Sequence, residues 1–121
     1  VDESASFVFK NANEIRQFVE SSGVFTPLPK GASGEPAGLR NDLNTATKVC
    51  EIRGFKRVLS IGHSRSKDCE NQLIVYWDAA TNSFAALKAC RHNSYIEHLI
   101  CRGQVKRQCD PTTDAEKSDP F

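Results

Sequence analysis

Leu43-Asn44-Thr45-Ala46-Thr47-Lys48-Val49-Cys50-Glu51-Ile52-Arg53-Gly54-Phe55-Lys56-Arg57-Val58-Leu59-Ser60-Ile61 changes its hydrophobic period partway along. Leu43, Ala46, Val49 and Cys50 recur at three- and four-residue steps, the spacing of one helical face. Asn41 or Asp42 stands where an N-cap belongs, and Gly54 supplies the left-handed stop. Beyond Gly54 that helical spacing ends, and Phe55 to Ile61 reads as a strand. Cys50 falls on the inward stripe, so its sulfur points toward whatever the helix packs on.

Upstream, Phe7-Val8-Phe9 is a short apolar run, either a first strand or a staple onto the next element. Asn11 with Glu14 three residues on makes a capping-box arrangement. Ile15, Phe18 and Val19 share a face, and Gly23 closes a helix over Ala12 to Ser22. Residues 26 to 40 contain three prolines and three glycines, which neither continue a helix nor pair centrally in a sheet. That stretch reads as a long loop, longer than most connections and so functional or mobile.

Downstream, Gly62 to Glu70 reads as an exposed polar loop. Gln72-Leu73-Ile74-Val75-Tyr76-Trp77 is β-branched and aromatic and is the best strand in the chain. Asp78 to Ser83 reads as a turn, and Phe84 to Ala89 returns as the next strand. Tyr95 to Cys101 sets Tyr95, Glu97 and Leu99 against Ile96, His98 and Ile100. The fold expected is α+β, with two N-terminal helices packed on an antiparallel sheet of four to five strands and stapled by disulfides. Residues 1–109 form the single expected domain, and the acidic, aperiodic 110–121 reads as a disordered tail.

Composition narrows the class. A chain of 121 residues, 39% apolar, is the size of one domain with its own core. Sixteen basic against fifteen acidic residues give no overall field for nucleic acid, which is not the expected partner. No run of 18 apolar residues spans a bilayer. The absence of methionine and the start at Val1-Asp2-Glu3 read as processing, removal of a signal peptide being the simplest form.

Five cysteines stand singly at 50, 69, 90, 101 and 109 with no CxxC spacing, which suggests a disulfide framework rather than a zinc or redox site. The preferred pairing is Cys50–Cys101 and Cys69–Cys90, one of three that four cysteines allow. In the chain-entropy model these closures are worth roughly 4 and roughly 3 kcal/mol. Cys109 is then left over, free or linking a dimer. A secreted location follows from this framework.

The order Ala46-x-x-Val49-Cys50-x-x-x-Gly54-Phe55, then Cys69-Glu70-Asn71, Ile74, Tyr76-Trp77-Asp78, Cys90 and Ile96-x-x-Leu99-x-Cys101 resembles short cysteine-rich modules of bacterial secreted and surface proteins. In layout it is also similar to scavenger receptor cysteine-rich domains, although their W-G-T-V-C opening is absent. The resemblance covers residues 46–101. It implies extracellular recognition of proteins or glycans without catalysis.

The function expected is therefore a secreted, non-catalytic recognition module for an envelope glycan or a cell-surface protein. Tyr76 and Trp77 are the candidate sugar platform, one of the two expected in the core and the other exposed. Arg53, Lys56, Arg57, Arg65 and Lys67 are candidate contacts for anionic groups, since residues 51–109 hold ten Lys/Arg against five Asp/Glu. No stacking aromatics interleave these basic residues, which weakens a nucleic-acid assignment. A small ribonuclease-like hydrolase is the alternative, using His63 or His98 for proton transfer, Arg65 for phosphate charge and a carboxylate such as Glu97. An inhibitor presenting the Pro/Gly loop is a third reading. The histidines lack metal-ligand spacing, and no metal or cofactor is expected.

Overall fold

The computed structural model describes residues 2–25, 28–32, 34–66, 70–90 and 94–105. The elements run β1 (Asp2–Phe9), α1 (Ala12–Ser21), β2 (Gly38–Leu39), α2 (Leu43–Arg53), β3 (Phe55–Arg65), β4 (Leu73–Asp78), β5 (Ser83–Lys88) and β6 (Ser94–Gln104). One sheet has the order β1-β6-β3 and a second the order β2-β4-β5. Strand outweighs helix, 49% to 22% of the described residues, so sheets set the architecture.

The expected pair of N-terminal helices over one antiparallel sheet is therefore corrected. A strand precedes α1, β2 lies between the helices, and there are two three-stranded sheets rather than one of four to five strands. The cause is long-range pairing. Phe7 and Phe9 lie opposite Cys101 and Leu99, so β1 is an edge of the sheet centred on the last strand. Gly38 and Leu39, the end of the Pro/Gly stretch, pair parallel with Ile74 and Val75 at the edge of the second sheet.

β3 is also longer than its sequence pattern suggests. Gly62, His63, Ser64 and Arg65 pair with β6 instead of forming a loop. Two register shifts interrupt that pairing, leaving Leu59 and Glu97 without opposite numbers. An extra residue in a strand reverses the alternation beyond it. Ile96 and Leu99, three apart, are thus both buried in the core while Glu97 is exposed. The strict two-residue alternation expected for Tyr95 to Ile100 does not hold.

The helices follow their capping signals. Asn11 Oδ1 accepts the Glu14 N–H at 2.9 Å, and Glu14 Oε1 accepts the Lys10 N–H at 3.0 Å. In α2, Asp42 Oδ1 accepts the Thr45 N–H at 2.7 Å, and Gly54 ends the helix at φ 98°. Thr45, Ala46, Val49 and Cys50 are buried against the sheets. Leu43 is not on that buried stripe: it is 66% exposed, at the rim of a hollow it shares with the end of β4 and the Ala79–Ala80 turn.

Cys50 and Cys101 are fully buried and joined in a disulfide, fastening α2 to β6. Cys90 is disulfide-bonded as well. Cys69, the partner expected for it, lies outside the described residues, as do Cys109 and the 110–121 tail.

Thr45 links cap to strand. β2 ends at Leu39, opposite Val75, and does not reach Trp77. There the buried Thr45 Oγ1 accepts the Trp77 N–H at 3.0 Å and donates to Asp42 Oδ2 at 3.1 Å. Thr45→Val keeps the shape and strands the Trp77 N–H without a partner. The expected cost is about 1–3 kcal/mol, read as a fall in the urea midpoint that Thr45→Ser largely avoids.

Candidate binding groove

The Thr45–Trp77 bond fixes the backbone of β4 against the first turn of α2. Trp77 is half-buried and meets the ring of its cross-strand neighbour Phe84 edge-on, centroids 5.1 Å apart. Phe25 backs Phe84 at 6.2 Å. The indole is thereby held from behind. Lys48, one turn beyond Thr45, lays its ammonium over the ring, 4.4 Å from the centroid.

Two shallow hollows meet on this ring. One, of about 420 Å³, is lined by Arg40, Asp42, Tyr76 and Asp78. The other, of about 340 Å³, is lined by Thr47, Lys48, Glu51 and Asn82. Leu43, Asn44, Trp77 and Ala79 line both, so the two form a single groove between α2 and the β4–β5 turn. Its two cations are paired, Arg40 with Asp42 at 3.2 Å and Lys48 with Glu51 at 4.0 Å, while Asp78 accepts the Ala80 N–H at 2.9 Å. The side chains of Asn44, Thr47 and Asn82 make no hydrogen bond among the described residues. Asn82 takes the left-handed φ of 56° that its turn requires.

Tyr76 and Trp77 do not divide into one core and one exposed residue; both are half-buried and both line the groove. The reason is that neither is fully covered. Arg40 lies over Tyr76 at 5.6 Å, and Lys48 over Trp77.

The basic candidates lie elsewhere. Lys56 and Arg57 on β3 pair with Glu3 at 3.4 and 2.6 Å. The Arg57 hydrogen bond, then that of Lys56, holds the Glu3 carboxyl below its ordinary range. Arg53 sits over Phe7, 4.3 Å from its centroid. Arg65 is exposed at the end of β3, and Lys67 lies outside the described residues.

The alternative catalytic set is not brought together. His63 pairs across strands with Ile96, and His98 with Gly62. Glu97 accepts a hydrogen bond from Ser64 at 2.7 Å. No hydrogen bond or ion pair joins His63, His98, Arg65 and Glu97 to one another among the described residues.

Among those residues no cluster of three or more His, Cys, Asp or Glu is placed to hold a metal ion. No helix there is long and apolar enough to cross a membrane.

Asn44, Thr47, Lys48 and Asn82 enter the groove without having been singled out in the sequence, and Leu43, expected on the buried stripe, lines it instead. The polar outer face of α2 is a signal for Asn44, Thr47 and Lys48; nothing local marks Asn82. No protein-family model matches the chain significantly, and neither does a curated protein or a solved structure.

Proposed function

We infer that the chain is a recognition module that holds a glycan in the Trp77 groove, outside the reducing cytosol. The observation that carries this is one half-buried indole bordered by three polar side chains, Asn44, Thr47 and Asn82, that make no hydrogen bond among the described residues. A sugar presents an apolar C–H face and a rim of hydroxyls. Indole suits the face, while amides and a hydroxyl both donate and accept to the rim. Because the groove's two cations are already paired and Asp78 adds a further carboxylate, a neutral glycan fits better than an acidic one. Lys48 moves aside on binding, exchanging its contact with the ring for the sugar. The buried Cys50–Cys101 bridge supports an oxidising compartment, in keeping with an envelope glycan or a cell-surface glycoprotein as ligand.

Trp77 is the one tryptophan of the chain, so its emission reports the groove directly. Titration with a panel of neutral oligosaccharides is expected to give a saturating shift in that emission for at least one of them. Trp77→Phe, followed by calorimetry because the reporter is lost, should weaken binding about tenfold. A panel in which no sugar moves the emission refutes the reading. Binding that Trp77→Phe leaves intact refutes the site.

A further inference from the structure

The two basic clusters of the sequence, 53–57 and 102–107, are far apart along the chain, yet the β3–β6 register sets Arg57 directly opposite Arg102. Phe7, Phe9, Leu99, Cys101, Val58 and Ile61 turn to the core side of this sheet. Arg57 and Arg102, with Ser6 and Ser60, therefore take the opposite face. Like charges in direct cross-strand register oppose folding unless something answers them.

Glu3 answers them. Its Oε1 accepts from Arg57 Nη1 at 2.6 Å and its Oε2 from Lys56 Nζ at 3.4 Å. Its backbone carbonyl accepts from Arg102 Nε at 3.2 Å. In regular alternation Glu3 would follow Ala5 and Phe7 inward. The register of β1 breaks between Asp2 and Ser6, and Glu3 meets the arginines instead. Glu3 thus serves three cations, two through its carboxylate and one through its backbone carbonyl, and the carboxylate is itself half exposed.

We propose that Arg57, Arg102 and Lys56 bind the sulfate groups of an acidic polysaccharide, and that Glu3 occupies the position one such group takes. Arginine pairs suit oxyanions because the guanidinium offers two parallel donors. Among the described residues Phe7 and Phe9 of this sheet point to the core and offer a nucleic-acid base no exposed phenyl ring to stack on. The face's apolar residues are few, Val8 opposite the half-buried Ile100 and Leu59 at the bulge, a small patch for a lipid or protein interface. The proposal does not rest on the Trp77 groove.

The test measures binding of the full chain to dextran sulfate at low and high salt. Expected are affinity that falls as salt rises, and a loss of about tenfold in Arg57→Gln and in Arg102→Gln. Glu3→Gln should strengthen binding about threefold, because it removes the competing carboxylate. If Glu3 were only a strut for β1, that substitution would weaken binding instead. Arg57→Lys, which keeps the Glu3 pair, covers the case in which Arg57→Gln fails to fold. It should bind more weakly than the parent, having lost the second donor. The proposal is overturned by equal binding to uncharged dextran. It is also overturned by tighter binding to a single-stranded oligonucleotide or to phosphatidylserine vesicles. Unchanged affinity in folded arginine variants overturns it as well.

Discussion

Replacing Cys50 and Cys101 together by alanine is expected to lower the stability of this domain by about 4 kcal/mol. The bridge closes a loop with a sequence separation of 51, and the chain-entropy model assigns most of its effect to the unfolded state. That is a large fraction of the roughly 5–15 kcal/mol typical of a small domain. In urea the midpoint should fall by roughly 2 M, with the slope a secondary readout of the freed unfolded chain. The double substitution is the right comparison because a single one leaves a buried thiol behind. Adding reductant to the variant then reads the contribution of the Cys90 bridge separately. A midpoint equal to that of the parent would mean the bridge only decorates a contact that packing already holds.

The second large effect is expected at Leu99. It is fully buried on β6, opposite Phe9 of β1 on one side and Ile61 of β3 on the other. Truncation to alanine opens a cavity in the strand that holds the sheet together, with an expected cost of about 3 kcal/mol. Leu59 is the control. It lies in the same sheet but at a register shift, and is 52% exposed. Leu59→Ala should stay within about 0.5 kcal/mol of the parent. Comparable losses at both positions would show that the β3–β6 register is not the one described.

What could be read beforehand was what local chemistry controls. Asn11, Asp42 and Gly54 act within a few residues of themselves, and both helices lie where those residues direct. The β-branched and aromatic run at 73–77 forms β4 for the same reason. Features decided by distant partners were hidden. Gly62-His63-Ser64-Arg65 has the composition of a loop, and it is extended only because β6 offers it hydrogen-bonding partners. The bulges at Leu59 and Glu97 alter which residues face inward, and alternation counted along one strand does not reveal them. The groove divides in the same way. Trp77 and Tyr76 stood out by residue type, whereas Asn44, Thr47 and Asn82 acquire a role only when α2 and the β4–β5 turn come together. The basic residues were visible one by one, but the meeting of Arg57 with Arg102 was not.

The pairing of the first strand with the last has a consequence for the order of events during synthesis. β6 is the middle strand of its sheet, and both β1 and β3 depend on it. While a ribosome is still making residues 94–104, β1 has no strand to pair with and Cys50 has no Cys101 to meet. Contacts of such sequence separation form late and slowly. The first sheet therefore stays open until residues 94–104 have been made, with Phe7 and Phe9 uncovered and Cys50 without Cys101 up to that point.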